Sequence, residues 1–181
     1  RVLYNGVPLH IINRNGLITF GETIPTNDAV FEDVFDIYVG MVTGKESVFK
    51  SPALGNIDVL NGEGKTDKYI FTDVFPTDNQ VVDTYLLEHK AKLIERKIRK
   101  FNETNWFEWG APRNITSIQH HQGKECIYIY NVTRKKRVAF KSTVQYFGGG
   151  LLMLVPKDNE YELDQTIAYL NGEPFQKNFI F

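Results

Sequence analysis

The first 75 residues alternate short apolar runs with turn-forming residues, a pattern that predicts strands joined by tight turns. An Asn-Arg-Asn-Gly turn at residues 13–16 lies between two apolar runs and predicts a β-hairpin. Residues 31–35 suit a turn or a short helix. Strand candidates in this part of the chain are residues 7–12, 17–20, 36–42, 47–50 and 67–71.

Helical periodicity is clearest between Gln80 and Phe101, where apolar residues recur at three- and four-residue steps. Asp78 or Asn79 supplies an N-cap, and basic residues crowd the C-terminal half, where the helix dipole favours them. The pattern predicts one long helix. Its outer face is expected to carry four cations: Arg96, Lys97, Arg99 and Lys100.

The C-terminal third predicts further strands and a second, shorter helix. Residues 125–130 and 137–140 form two strand candidates around a basic turn, and a glycine run at 148–150 precedes a strand ending near Val155. Apolar residues on one face predict a short helix that ends at Asn171-Gly172. The prediction is a β-rich α+β fold, with one long and one short helix packed on an antiparallel sheet.

Composition excludes several classes of protein. With 42% hydrophobic residues in 181, the chain is long and apolar enough to bury a core. The longest apolar run, at 151–155, is far shorter than the ~20 residues of a membrane helix. Cys126 is the single cysteine, so an intrachain disulfide is impossible and an intracellular, cytoplasmic protein is expected. Starting at Arg1 and ending in Phe-Ile-Phe, the chain is expected to be a piece of a longer protein.

Charge is distributed unevenly although the net charge is −1. Twelve of the 21 Lys and Arg residues fall between residues 91 and 141, against 4 of the 22 acidic residues. Such a band favours a surface that faces a polyanion such as DNA, and the open alternative is a solvated helix face with a basic turn. Trp106 and Trp109 precede cations and suit stacking beside phosphates, or equally serve as core anchors.

Three catalytic or metal-binding interpretations remain weak. Residues 61–66 end like a phosphate-binding loop but lack the earlier glycine, which is Val59. His120, His121 and Cys126 lack the partners of a zinc site. A metal-dependent endonuclease is an alternative: Glu63-Gly64-Lys65 with Asp36 or Asp58 supplies the residue types, but the glycines favour a turn. A non-catalytic protein-interaction module is a further alternative.

The order of several segments resembles a known family. Residues 36–45 with Val48-Phe49 resemble a hydrophobic-Gly-x-Val-Thr-Gly-x-x-x-x-Phe segment, and residues 85–96 resemble a Tyr-Leu-x-x-His-Lys-x-x-Leu-x-x-Arg helix. Both are features of the target-recognition region of γ-class, Taq-type, adenine-specific DNA methyltransferases of bacterial restriction–modification systems. Later segments fit in order, from about residue 33 to 175: Trp106, Pro112-Arg113, Cys126-Ile127-Tyr128, Gly148-Gly149 and Tyr169-Leu170-Asn171-Gly172.

The resemblance implies that residues 33–181 form a DNA target-recognition domain, with residues 1–32 as a hairpin or linker segment outside it. The family's Asn/Asp-Pro-Pro-Tyr/Phe signature and its S-adenosylmethionine loop are absent from this sequence. We therefore expect no catalytic, cofactor or metal residue here. The parent enzyme would bind S-adenosylmethionine through a catalytic domain of the same chain, while this domain binds double-stranded DNA and no membrane.

The implied division of labour selects nine side chains for DNA contact. Lysines neutralise phosphates, whereas guanidinium and carboxamide groups read purine edges in the major groove. For Arg113 an ion pair or a capping role remains an alternative. The expected backbone contacts are Lys45, Lys124, Lys135, Lys136 and Lys141, and the expected base contacts are Arg113, Asn114, Arg134 and Arg137.

Overall fold

Three antiparallel sheets organise the parts of the chain that the computed structural model describes, which are residues 2–14, 17–24, 30–133, 136–158 and 161–176. The strands are β1 (Val2–Tyr4), β2 (Val7–Arg14), β3 (Leu17–Gly21), β4 (Phe35–Val39), β5 (Ile57–Gly62), β6 (Lys65–Tyr69), β7 (Glu125–Tyr130), β8 (Ala139–Thr143) and β9 (Leu151–Pro156). The helices are α1 (Phe31–Val34), α2 (Glu46–Phe49), α3 (Gln80–Glu88), α4 (Lys90–Ile94), α5 (Ile115–His121), α6 (Leu163–Leu170) and α7 (Glu173–Gln176).

The predicted α+β class is confirmed, and so is the N-terminal hairpin. Strands β2 and β3 pair antiparallel with Arg14 opposite Leu17, and β1 adds a third strand that the sequence pattern did not predict. The β1–β2 turn requires a positive φ at Asn5 and Gly6, which Gly adopts freely and Asn tolerates. These three strands form a meander that precedes the main sheet in the chain.

The main sheet has the order β4-β9-β7-β8 and carries core on both faces. Alternation along β7 sends Cys126 and Tyr128 to one face and Ile127 to the other, and all three are fully buried. Helix α6 packs on the Ile127 face through Leu163 and Leu170. The predicted short helix and the packing role of Cys126 are therefore confirmed.

A second core lies around the β5–β6 hairpin and the helices α2, α3 and α4. Trp106 and Trp109 are 2% and 1% exposed and belong to this core, which confirms the core-anchor alternative for both. The Trp109 indole donates to the Ile70 carbonyl at 2.8 Å, and its ring meets the Phe71 ring edge-on. Both indoles are thus buried away from any ligand that binds the outer surface.

The expectation of one long helix over residues 80–101 is wrong. Helix α3 ends at Glu88 because His89 leaves helical geometry with φ −103° and ψ 0°, and α4 ends at Ile94. Asn79 is the N-cap, as expected, and its side chain accepts from Val81 and Val82. The strand expected at 47–50 is also wrong, because residues 46–49 form α2 and bury Val48 and Phe49.

The outer-face assignment of Arg96 is wrong as well. Its side chain is 7% exposed and caps the end of α4, donating from Nε to the Leu93 carbonyl at 2.7 Å. Nη1 donates to Thr43 at 2.7 Å and Nη2 to Trp106 at 2.6 Å, both main-chain carbonyls. The guanidinium also lies 3.7 Å from the Phe101 ring centroid. Arg96 therefore joins three segments of the second core.

No helix within the described residues combines the length and apolar character needed to cross a bilayer.

Candidate nucleic-acid interface

Several cation-bearing loops meet at one end of the main sheet. Strands β4 and β7 both run antiparallel to β9, so they finish at the same end, where β9 begins after the run Gly148–Gly150. Strand β8 also begins there, because Ala139 pairs with Ile129. We call this the glycine end of the sheet. The loops that follow β4 and β7 start here, and they carry Lys45, Lys136 and Arg137.

The loop that carries Lys45 is fixed by main-chain hydrogen bonds. Gly40 donates to the Leu151 carbonyl at 3.3 Å and Met41 to the Phe147 carbonyl at 2.9 Å. A side chain at Gly40 would clash with the Gly148 carbonyl, so only glycine allows these two segments to approach this closely. The Lys45 amide donates to Thr43 Oγ1 at 3.1 Å, and the Lys45 residue is exposed. Lys45 thus projects from a well-anchored loop.

Arg113 and Asn114 follow a segment that pairs with this same loop. Ala111 and Val42 exchange two main-chain hydrogen bonds of 2.8 and 3.0 Å. Asn114 adopts φ 60° as the N-cap residue of α5, and its amide group donates to the Val39 carbonyl at 2.9 Å. Arg113 is exposed beside it. Asn114 therefore holds the segment to the end of β4, and Arg113 is the more accessible of the two.

The basic turn between β7 and β8 also reaches the glycine end. Asn131 donates to the Gly149 and Gly150 carbonyls, from its side chain at 2.8 Å and its main chain at 3.0 Å. Arg137 makes a 2.8 Å ion pair with Glu63, and Lys136 is exposed. Arg134 and Lys135, two of the nine predicted contacts, lie outside the described residues.

Two of the predicted phosphate contacts lie elsewhere. Lys124 precedes β7, so it lies at the opposite end of a six-residue strand, roughly 17 Å from the glycine end. Lys141 lies in the middle of β8, opposite Ile127, on the face that α6 covers. Its ammonium approaches Glu125 at 3.4 Å and Asp164 at 3.6 Å, and these carboxylates raise its pKa. Neither lysine belongs to the surface that carries Lys45 and Arg113.

Lys97, which was expected on the outer face of the long helix and was not selected for DNA contact, lies in the segment that packs on the loop carrying Lys45. The end of α4 redirects the chain so that Ile98 packs over Gly44 and Gly110, where a Cβ on either glycine would meet its side chain. Its neighbour Lys97 is exposed next to the loop that carries Lys45. The helical pattern predicts a continuous helix through Lys97, so it did not place this lysine near Lys45. The feature of the sequence that reflects the observed packing is the pair Gly44 and Gly110, which leaves room for Ile98.

The other chemistries considered from the sequence are not assembled among the described residues. Glu63 is in the β5–β6 turn and pairs with Arg137, while Asp58 approaches Lys68 at 3.5 Å. No group of three or more His, Cys, Asp or Glu residues in the described ranges could hold a metal ion. Burial raises the pKa of the Cys126 thiol to about 12, so a thiolate is disfavoured at neutral pH.

Neither a protein-family model nor a curated protein sequence matches this chain.

Proposed function

We propose that this chain binds double-stranded DNA sequence-specifically, as the target-recognition part of an adenine-specific DNA methyltransferase of a bacterial restriction–modification system. Methyl transfer from S-adenosylmethionine would belong to a catalytic domain of the same protein. The same proposal implies a bacterial, cytoplasmic protein. The single observation that carries the DNA-binding part is the meeting of three cation-bearing segments at the glycine end of the sheet.

The cations at the glycine end suit both tasks that DNA recognition requires. Lys45, Lys97 and Lys136 are exposed, and none forms an ion pair within the described residues, so each is available to a phosphate. Arg113 and Arg137 carry planar, bidentate guanidinium groups suited to a guanine edge. Phosphate contacts fix the register and the arginines then discriminate base pairs.

The segment at residues 85–96, which resembles the family helix, supports the proposal through its buried side chains and its hydrogen bonds to main-chain carbonyls. Leu86 and Leu93 are fully buried, and Arg96 bonds three carbonyls. Tyr85 donates from its hydroxyl to the Val48 carbonyl at 2.9 Å, and His89 Nδ1 lies 2.9 Å from the Tyr85 carbonyl. The spaced residues of this pattern therefore build a scaffold that supports the loop carrying Lys45.

Salt titration of duplex binding tests the proposal. The full chain is mixed with a pool of randomised duplexes. Fluorescence anisotropy then measures the affinity between 50 and 200 mM salt. This range is chosen because counterion release makes phosphate binding steeply salt-dependent. With three phosphate contacts, the slope of log affinity against log salt should be about −2.7. A slope near zero would contradict the proposal that the chain binds DNA through phosphate contacts.

A second candidate function, protein interaction, is favoured by the meander. Its register places Val2, Tyr4, Val7, Leu9, Ile11, Ile18 and Phe20 on one face, where Leu9 is 9% exposed and each of the others is between 39% and 59% exposed. An apolar face with this much exposed area is typical of a protein-contact surface. We propose that it packs against the catalytic domain of the parent protein. Substituting Ile11 and Phe20 with serine should weaken that association while leaving duplex binding unchanged.

A further inference from the structure

A cleft lies beside the glycine end, between the loop at residues 41–46 and the run Gly148–Gly150. Its volume is about 370 Å³, which is within the range of small-ligand sites. Apolar side chains of Met41, Val59 and Trp109 contribute to its wall. These three residues are between 1% and 3% exposed, so they close the cleft from the core side, and the half-buried Val42 supplies apolar surface that a ligand can reach.

Asn61 presents a fixed polar group on the cleft wall. Its amide nitrogen donates to Asp67 at 2.9 Å and to the Tyr69 hydroxyl at 3.2 Å. Those partners are held in turn, since Lys50 pairs with Asp67 at 2.8 Å and Tyr69 donates to Glu46 at 2.6 Å. The Asn61 carboxamide oxygen receives no hydrogen bond from the described residues and packs against Gly148, where a Cβ would clash with it. The cleft therefore offers one oriented acceptor.

The opposite wall offers hydrogen-bond donors and a positive charge. The carbonyl groups of Gly149 and Gly150 are occupied by Asn131, but within the described residues their amide N–H groups donate to no acceptor. A Cβ added at Gly150 would meet nothing within 4 Å, whereas one at Gly149 would meet Val42 Cγ2 at 2.8 Å, so Gly150 is the more open of the two. Lys45 lines the same cleft and has no ion-pair partner in the described ranges. Adjacent main-chain amides beside a lysine suit a phosphate group.

We infer that this cleft binds one nucleotide. The phosphate would lie on Lys45 and the Gly149 and Gly150 amides, and the base would lie against Val42 with an amino group donating to Asn61. Such a nucleotide is either a free 5′-mononucleotide or one unstacked residue of a single strand, because both present the same phosphate and base. The inference goes beyond the proposed duplex binding, which also uses Lys45 but needs no unstacked base.

Binding of defined nucleotides to the full chain tests the inference. The probes are dAMP, dTMP, inorganic phosphate and a ten-residue deoxyadenosine strand, followed by calorimetry and by amide NMR signals of Gly149 and Gly150. We expect dAMP or the strand to bind saturably and to shift both glycine signals, with dAMP favoured over dTMP. Tight binding by the strand alone assigns the site to unstacked nucleic acid, and equal binding by dAMP assigns it to free nucleotides.

Variants separate the cleft from the outer surface. Asn61→Ala removes the acceptor on the cleft wall and changes none of the proposed duplex contacts, so we expect at least a tenfold loss of dAMP affinity with duplex affinity within twofold of wild type. Lys124→Gln, at the far end of the sheet, is the control and should change neither. Absence of saturable binding by every probe, or unshifted glycine signals, overturns the inference even if Asn61→Ala fails to fold. Loss of duplex binding alone would instead overturn the proposed function.

Discussion

The Arg96 guanidinium donates from Nη1 to the Thr43 carbonyl at 2.7 Å, which ties the end of α4 to the loop that carries Lys45. Burial lowers the pKa of Arg96 to about 10, so the group is still charged at neutral pH. Replacing a buried cation that donates to three main-chain carbonyls lowers the free energy of unfolding, because each carbonyl loses its hydrogen-bond donor. Arg96 therefore stabilises the geometry of the candidate interface from beneath.

Arg96→Lys should destabilise the fold by about 2–4 kcal/mol, because one ammonium cannot reproduce a planar group that reaches three carbonyls. Urea denaturation measures this change. Lys97→Ala is the matched control at an exposed neighbour and should stay within about 0.5 kcal/mol of wild type. A change of similar size in both variants would mean that the three hydrogen bonds contribute little.

Glu63→Gln should increase duplex affinity by roughly two- to fivefold, because it releases the Arg137 guanidinium and removes a negative charge from the glycine end. Fluorescence anisotropy with a duplex pool measures the gain. Glu103→Gln is the control, since it removes an exposed carboxylate that pairs with Lys90 of α4 and not with Arg137. The gain should vanish when Arg137 is already alanine, and its persistence there would argue against a role for Arg137.

Arg113→Ala should relax base discrimination by about 1–3 kcal/mol at one base pair and leave affinity for random duplexes nearly unchanged. The expectation rests on an exposed guanidinium next to a segment anchored by Asn114. Selection from a randomised duplex library with wild type and variant provides the measurement. If all positions of the selected site weaken equally, Arg113 is a phosphate contact rather than a base reader.

Acidification should destabilise the domain through His121. Its Nδ1 is buried and has no partner among the described residues, and burial, Lys124 and His120 lower the pKa of its imidazole below the usual 6.5, against an opposing effect of Asp36. The folded state then binds fewer protons than the unfolded state just below pH 6.5, so the free energy of unfolding decreases there as the pH is lowered. The contribution of His121 to the free energy of unfolding is fully present above pH 6.5.

His121→Gln should flatten this pH dependence in thermal melts recorded between pH 5 and pH 7.5, a range chosen to bracket the ordinary histidine pKa. His10→Gln, on β2 and not on α5, is the control and should keep the wild-type slope. Identical slopes in wild type and His121→Gln would show that another group sets the pH response.

Apolar periodicity predicted the elements in which the local sequence pattern itself marks the buried face. The hairpin of β2 and β3, strands β7 and β9 and helix α6 follow from alternating or helical apolar patterns, and the N-cap at Asn79 follows from residue type. Strand β5 was missed because it ends in Asn61-Gly62, a pair of residue types that favours turns. Helix α5 was missed because residues 115–121 have a weak apolar pattern, with Ile118 alone fully buried.

The candidate interface could be predicted only in part, because charge counts do not reveal which cations are buried or paired. Arg96 is inside the second core, and Arg99 pairs with Glu108 at 2.6 Å. Lys124 and Lys141 lie away from the glycine end. The convergence of Lys45, Arg113 and the basic turn depends on strand order, since β4 and β7 are brought together by β9. That long-range pairing has no local signature in the sequence.

The central claim is that the glycine end of the sheet binds duplex DNA. Lys136→Glu and Lys124→Glu test it most directly, because both lysines are exposed and unpaired among the described residues, and they lie at opposite ends of β7. Anisotropy against one duplex pool at 100 mM salt should show at least a tenfold loss of affinity for Lys136→Glu and a change below twofold for Lys124→Glu. Equal losses in the two variants, or no loss in Lys136→Glu, would contradict the claim.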